Sequence, residues 1–330
     1  LNSGITVSSG TLASSGGTLA ASSLSLGAAG TINIEGGTLT LPAGATAVSG
    51  ATFTTSATTI QLGGNLNLAD SWSSTTTNLS LTADAELSST SAVEAATLET
   101  KGFNFYLDSA TTDLTISDGL TINASEGQNT GVGTGNADLT LNGPLTVLSG
   151  GISSSGGTLT FGPASGATSF AENTGMQLSD TELVLQTNIN LNYLKLTGTS
   201  SIQTNTKTLS PVYLEIGTDN ELDLTNAVNS DTGIDLAGDS TIKTSGDLLV
   251  KYISLGGFSL TLNPAITSLT AENIWIPNDY ASDRPNYMGS NGKFLAQGVP
   301  VTLNKSLWLA KGKLDMGGAI LTLEQGGTVS

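Results

Sequence analysis

LKL at residues 194–196 returns as LEI at 214–216 and as IDL at 234–236, so one apolar–polar–apolar step recurs every twenty residues. Alternation with a period of two over so short a span indicates a strand with one buried face. Gly, Asn, Asp and Ser, which form turns, separate such steps along the chain. Helical spacing is not sustained anywhere, so the sequence predicts an all-β protein.

Two further series share this period. One contains Ile202, Leu222, Ile242 and Leu262, and the other contains Leu209, Leu249 and Leu269. Three strand phases in each period of about twenty residues predict coils with three short sides. A β-sandwich is the alternative all-β fold, but its strands are usually longer and it carries no such repeat.

The first series continues beyond residue 236 with Ile274, Phe294 and Leu314. The N-terminal half contains a less regular series with a similar period. Its members are Leu19, Leu39, Ile60, Leu79, Leu98, Leu120, Leu139, Leu159 and Leu178. A fixed period of short strands is typical of a solenoid, in which each coil buries its apolar residues against the next. The 330 residues predict about sixteen coils in one elongated solenoid over 1–330, with a register change near 178–194.

Composition excludes several classes of function. The chain has 41 Gly, 40 Ser and 49 Thr but no Cys and no His, which rules out His- or Cys-based catalytic triads, disulfides and Cys/His zinc sites. Its net charge is −17, and its nine Lys and single Arg are scattered. A protein that binds nucleic acid or an anionic membrane surface needs clustered positive charge, so neither is expected as a partner. No apolar run is long enough for a membrane span.

GGTLTL at residues 36–41 and GGTLTF at 156–161 resemble the repeats of bacterial autotransporter passenger domains and filamentous-haemagglutinin-type adhesins. The resemblance implies a right-handed parallel β-helix exported to a bacterial surface. No membrane-barrel segment and no N-terminal secretion cap are recognisable. The chain begins at Leu1 without a signal sequence, so we expect either that a signal has been removed or that the chain is part of a longer protein.

We therefore expect an extracellular structural or adhesive β-solenoid that acts as a stiff rod or stalk on a bacterial surface. Its expected partners are copies of itself, other cell-surface or extracellular proteins, or glycans. One alternative is a subunit of an extracellular filament or sheath that assembles end to end. Another is a polysaccharide-active enzyme, because the β-helices that the chain resembles include lyases and hydrolases.

The repeat lapses at 125–137, 162–177 and 277–293, and the last of these is the candidate binding segment. It holds two tyrosines, the only arginine and two carboxylates, residue types that anchor sugar or peptide contacts. They are Asp279, Tyr280, Asp283, Arg284 and Tyr287. The spacing of twenty from Ile274 to Phe294 predicts a coil that is reshaped there, not lengthened.

Of the candidate segment's residues, Asp279 and Asp283 are also the pair nominated for glycoside hydrolysis, which needs two nearby carboxylates. An enzyme would further be expected to carry a groove lined by carboxylates and aromatics. No aromatic stripe is visible in the sequence. No catalytic residue is therefore assigned.

Outward positions of the two best-phased series can be aligned. They are Lys195, Glu215, Asp235, Trp275 and Asp315 in one row and Gln203, Asp223 and Lys243 in another. Adjacent coils lie about 5 Å apart, so this alignment predicts ion pairs between Lys195 and Glu215 and between Asp223 and Lys243.

Calcium is the one cofactor that the composition suggests, because carboxylate oxygens are the ligands it prefers. The candidates are Asp219, Glu221, Asp223 and Asp235. The sequence has neither the helix–loop–helix calcium motif nor the glycine-rich nonapeptide repeat. Solvated surface carboxylates that aid solubility are the favoured interpretation, and no metal site is assigned.

Overall fold

The structure is a computed structural model that describes residues 3–124, 131–165, 168–217, 220–276, 292–309, 312–324 and 327–329. Within these ranges it contains strands and no helix, and the strands stack in parallel as a β-solenoid of about 14 turns spaced roughly 21 residues apart. The fold class predicted from the repeat is confirmed. Two compact units, 1–175 and 176–330, are described separately below.

Unit 1 contains the first nineteen strands. They are β1 Ile5–Ser15, β2 Thr18–Ala20, β3 Leu24–Glu35, β4 Thr38–Leu41, β5 Ala45–Ala47, β6 Thr52–Ser56, β7 Thr59–Leu62, β8 Leu66–Leu68, β9 Trp72–Leu81, β10 Ala85–Ser89, β11 Val93–Glu99, β12 Phe105–Leu107, β13 Asp113–Asn123, β14 Val132–Gly133, β15 Asp138–Leu141, β16 Leu145–Ser149, β17 Gly151–Ser154, β18 Thr158–Phe161 and β19 Ser169–Phe170.

Unit 2 contains the remaining strands, the first of which starts at the last residue of unit 1. They are β20 Gly175–Ser179, β21 Glu182–Leu185, β22 Ile189–Thr197, β23 Ser201–Gln203, β24 Leu209–Ile216, β25 Asn220–Leu222, β26 Gly233–Leu236, β27 Ser240–Ile242, β28 Gly246–Ser254, β29 Leu260–Leu262, β30 Ile266–Ile276, β31 Lys293–Leu295, β32 Val301–Leu309, β33 Lys313–Asp315, β34 Leu321–Leu323 and β35 Thr328–Val329.

Three short strands make one coil, as β5, β6 and β7 show in unit 1. β5 pairs in parallel with β3 before it and β8 after it, and β7 pairs with β4 and β9. In β5 and β7 the buried residues are Ala, Ile and Leu, and the residues between them are Thr and Gln. The period-two pattern therefore places the apolar face of each of these sides against the same interior.

The interior of unit 1 contains a ladder of Leu and Ile residues that are register partners on successive coils. The partners are Leu19, Leu39, Ile60, Leu79, Leu98, Leu120 and Leu145. The predicted series is right as far as Leu120 and wrong at Leu139, which pairs with Leu114 on the neighbouring side of the coil. The step from residue 114 to residue 139 exceeds the usual twenty or so, so this coil is longer than its neighbours.

Residues of the 125–137 stretch take part in this longer coil. Residues 125–130 lie outside the described ranges. Val132 of β14 is fully buried and pairs with Phe105 of β12 and Ile152 of β17. The side of the solenoid that contains β14 therefore continues through the lapse in the sequence repeat.

Unit 2 has the same construction, and its register corrects the sequence alignment at one coil. Leu194, Leu214, Ile234, Ile253 and Ile274 are successive partners, but Ile274 then pairs with Leu307. The step from residue 274 to residue 307 is well over one ordinary period. The coil is lengthened, and the prediction that it is only reshaped is wrong. Longer coils such as this one are one reason why about 14 turns are found instead of sixteen.

The spacing of twenty from Ile274 to Phe294 misled because the two residues belong to different sides. Phe294 pairs with Leu260 of β29 and with Leu314 of β33. The two sides that contain Ile274 and Phe294 both have apolar residues facing the core. Counting from a residue of one side to a residue of the other therefore still gives an apparent period of twenty. Backbone pairing, which the sequence does not display, distinguishes them.

Gly37 shows why glycine is required where coils meet at a tight corner. Its φ is +75°, a conformation that L side chains rarely adopt. A Cβ at this position would lie 2.0 Å from the carbonyl oxygen of Gly17, on the coil below. The Gly-Gly step that precedes this apolar strand in the sequence thus allows one backbone to lie directly on another.

Leu248 and Leu249 are adjacent in β28 and face opposite ways. Leu248 pairs with Leu269 and is 1% exposed, whereas Leu249 is 45% exposed. The sequence alignment placed Leu249 inward, twenty residues before Leu269. A register shift between Gly246 and Asp247 moves the inward position by one residue, so that placement is wrong.

This adjacent pair provides a test of the register. Leu248→Ala removes a fully buried side chain and is expected to lower the free energy of unfolding by about 2–5 kcal/mol. Leu249→Ala removes an exposed side chain and is expected to change the free energy of unfolding by less than about 0.5 kcal/mol. Urea unfolding followed by tryptophan fluorescence measures both, and equal losses would contradict the register.

Candidate functional site

The five residues of the candidate binding segment, Asp279, Tyr280, Asp283, Arg284 and Tyr287, lie outside the described residues. In the sequence they fall between the register partners Ile274 and Leu307. The candidate site described below therefore rests on other residues of unit 2, all of them on well-defined strands.

The predicted calcium ligands are dispersed among other contacts. Asp219 lies outside the described residues, Glu221 pairs with Lys243, and Asp223 accepts hydrogen bonds from the N–H and the hydroxyl of Thr225 at 2.9 and 2.6 Å. Across the described part of the chain, no three carboxylates come together in a way that could hold a metal ion.

The ion pair predicted between Asp223 and Lys243 does not form. Lys243 pairs with Glu221 instead, and Asp223 accepts a hydrogen bond from the N–H of Thr225, two residues further along the sequence. The ion pair predicted between Lys195 and Glu215 is confirmed, with the Lys195 Nζ 2.8 Å from Glu215 Oε1.

One outward face of unit 2 carries all of the tyrosines and tryptophans among this unit's described residues, and we call it the aromatic face. It is formed by β22, β24, β26, β28, β30 and β32, which pair in that order. Two rows of side chains cross these strands. One row contains Tyr193, Tyr213, Gly233, Tyr252, Asn273 and Ser306, and the other contains Lys195, Glu215, Asp235, Ser254, Trp275 and Trp308.

The second of these rows was only partly visible in the sequence. Lys195, Glu215, Asp235 and Trp275 stand in it as predicted. Asp315 does not, because it pairs with Leu295 on another side of the coil. Trp308 takes its place, at the far end of the long coil that follows Trp275.

The spacing of these residues explains why no aromatic stripe is visible in the sequence. Tyr193 and Tyr213 are twenty residues apart, but the next coil has Gly233, and Tyr252 follows on the coil after that. The two tryptophans stand in the neighbouring row. Only the register of the strands brings these residues onto one surface.

Tyrosine hydroxyls hold the two carboxylates at the first end of the aromatic face. Tyr193 donates to Glu215 Oε2 at 2.9 Å, and Tyr213 donates to Asp235 on the following coil. Glu215 is 7% exposed and also pairs with Lys195. The neighbouring carboxylates Glu215 and Asp235, which are register partners, are thus each compensated by a donor from the preceding coil.

The rings of the aromatic face contact one another across coils. The Tyr193 and Tyr213 rings are stacked, with centroids 5.5 Å apart and an interplanar angle of 24°. The Tyr252 and Trp275 centroids are 5.0 Å apart at 33°. Gly233 accommodates Tyr252, because a Cβ on Gly233 would lie 2.3 Å from the tyrosine ring.

Other carboxylates of the chain bind hydroxyls and backbone N–H groups. Glu94 in unit 1 accepts from Ser117 at 2.6 Å and from Ser73 at 2.7 Å, and these bonds, the one from Ser117 first, lower the pKa of its carboxyl. In unit 2 the backbone N–H of Thr199 and then its hydroxyl lower the pKa of Asp180.

Asp247 behaves in the same way, since Thr267 and then Ser268 donate to it and lower its pKa. In these cases the donor lies on the coil next to that of the carboxylate. Glu94, Asp180 and Asp247 thus form hydrogen bonds between coils, and the lowered pKa of each shows that these bonds favour the charged carboxylate.

Among the described residues no helix is long and apolar enough to cross a membrane. Comparison of the chain with family models, with curated protein sequences and with solved structures gave no significant match.

Tyr193→Phe tests the contact between the tyrosine row and the carboxylates. Removing the hydroxyl takes a donor from the nearly buried Glu215, and we expect the free energy of unfolding to fall by about 1–3 kcal/mol. Tyr106, which is 41% exposed in unit 1, provides the matched control. Tyr106→Phe should change stability by less than about 0.5 kcal/mol, and equal urea midpoints for the two variants would contradict the contact.

Glu94 provides a pH test. Its pKa is lower in the folded protein than in the unfolded chain, where the pKa of a glutamate is about 4.3. The unfolded state therefore binds more protons between the two pKa values, so Glu94 contributes stability above the unfolded pKa and loses it as pH falls through the folded pKa. Ser73→Ala/Ser117→Ala should destabilise the protein at about pH 7, and the deficit relative to the parent protein should become smaller as the pH is lowered to about 3.

The control for this pH test is Thr75→Ala, since Thr75 is an exposed residue of β9, the strand that also carries Ser73. The small difference in stability between this variant and the parent protein should be the same at both pH values. Urea unfolding at each pH supplies the comparison, and a deficit of the double variant that is unchanged between them would contradict the assignment.

Proposed function

We propose that this protein is an extracellular structural or adhesive β-solenoid that acts as a stiff stalk on a bacterial surface. The observation that supports the proposal is the bonding between coils. Within each unit, described coils are joined by parallel strand pairs and by a ladder of buried Leu and Ile. A load applied along such a stack is shared by several hydrogen bonds at each interface between coils.

Surface chemistry supports the same proposal. A net charge of −17 keeps copies of the chain apart and favours solubility. Glu94, Asp180 and Asp247 have a lowered pKa because donors on neighbouring coils bond to the anion, whereas a general acid of glycoside hydrolysis needs a raised pKa. These side chains therefore suit a role in holding coils together better than a role in proton transfer.

Stretching single molecules between their termini by atomic force microscopy tests the stalk role. A solenoid whose coils contact only their neighbours should unzip in repeated steps, each releasing one coil. A coil of roughly 21 residues extends to about 70 Å. A single rupture that releases a whole unit at once would contradict the proposed mechanical role.

Labelling of intact source cells with an antibody against the purified chain tests the location. We expect surface labelling that is removed by external protease. Labelling that appears only after lysis would contradict an extracellular role, whatever the mechanical result.

A further inference from the structure

Two of the three tryptophans in the chain lie on the aromatic face. Trp72, the third, is 3% exposed, packs edge-on against Phe53 and donates its ring N–H to Thr55. Trp275 and Trp308 instead point outward from β30 and β32 and are partly exposed. Their neighbours in the two rows are the small polar residues Ser254, Asn273 and Ser306, and Trp and Tyr are among the residues most enriched at binding hot spots.

Tyr252, Trp275 and Trp308 form a group that we call the aromatic platform. Trp275 and Trp308 are register partners, and the Tyr252 ring lies 5.0 Å from Trp275. The residues next to them in sequence, Ile253, Ile274 and Leu307, are buried in the core. Because strands carry all three residues, ligand binding requires no rearrangement of the backbone beneath the rings, which lowers the entropic cost of binding.

Polar groups lie beside the rings. Ser254 is the register partner of Trp275, and Ser306 donates a hydrogen bond to Asn273 at 2.7 Å. At the margin, Lys305 pairs with Glu272 at 2.7 Å, so the local charges compensate one another. Aromatic rings with hydroxyl and amide groups alongside match a sugar, which has an apolar C–H face and hydroxyls around its edge.

The strand pairing argues against a peptide that adds as a strand. β28 pairs with β26 and β30, and β30 pairs with β28 and β32, so neither has a free edge under the platform. The platform spans two coil spacings, on the order of 10 Å, whereas a stable protein interface buries roughly 800 Å² per partner, a patch on the order of 30 Å across. The net charge of −17 disfavours polyanions.

We propose that Tyr252, Trp275 and Trp308 bind a neutral polysaccharide chain by stacking against its sugar rings. The inference rests on the adhesive role proposed above and names the class of ligand. Its failure would leave the mechanical role intact, because stepwise unzipping depends on the core and on the strand pairs, not on these outward rings.

Affinity electrophoresis and titration calorimetry of the full chain test this proposal. The probes are soluble mixed-linkage β-glucan, xylan, galactomannan and dextran, with polygalacturonate and heparin as anionic counterparts. We expect binding to at least one neutral probe. Trp275→Ala and Trp308→Ala should each weaken it by about tenfold, whereas Tyr106→Ala, at an exposed aromatic in unit 1, should leave it within about twofold.

Three results would overturn the proposal: no binding of any neutral probe, unchanged affinity in both tryptophan variants, or preference for the anionic probes. Circular dichroism checks that each variant is folded. Should the alanine variants not fold, oxidation of the parent protein by N-bromosuccinimide gives an independent readout. Bound neutral polysaccharide should protect Trp275 and Trp308, Trp72 should stay unreactive, and absence of protection would equally overturn the proposal.

Discussion

An inward leucine of this protein can be buried only by the coils above and below it. A coil of roughly 21 residues has too few side chains to enclose a core of its own, so its apolar face is covered only when the next coil stacks in register. The ladder from Leu19 to Leu145 and the ladder from Leu194 to Leu307 follow from this requirement. Backbone pairing, burial and side-chain orientation are fixed together, because a one-residue slip turns every side chain of a strand to the opposite face.

The same dependence explains why a surface so rich in Ser and Thr is useful to the fold. Outward side chains of neighbouring coils lie side by side, so short hydroxyl and amide groups reach one another across the gap. Thr40 donates to Gln61 at 3.0 Å, and Thr97 donates to Asn78 at 2.7 Å. Carboxylates are held in the same manner, so an acidic surface can form hydrogen bonds between coils and need not drive them apart.

The repeat predicted the fold class and many register partners because period-two alternation reports local burial directly. It predicted the neighbours Lys195, Glu215 and Asp235, where three coils in succession have the same length. It failed at Asp315, at Leu249 and at Leu139, where a long coil or a register shift changes the count between equivalent positions. The aromatic face escaped notice for that reason, since Trp275 and Trp308 become neighbours only through strand pairing that spans the long coil.

That long coil has a consequence for how such a protein can change. Ile274 and Leu307 are register partners in the same way as residues twenty apart elsewhere, so the strand ladder is indifferent to the number of residues between two paired positions. The coils on either side keep their register although the number of residues between these two partners is larger than elsewhere. A change in the number of residues between β30 and β31 therefore need not disturb the pairing of β28, β30 and β32, so evolution can add sequence there without rebuilding the scaffold.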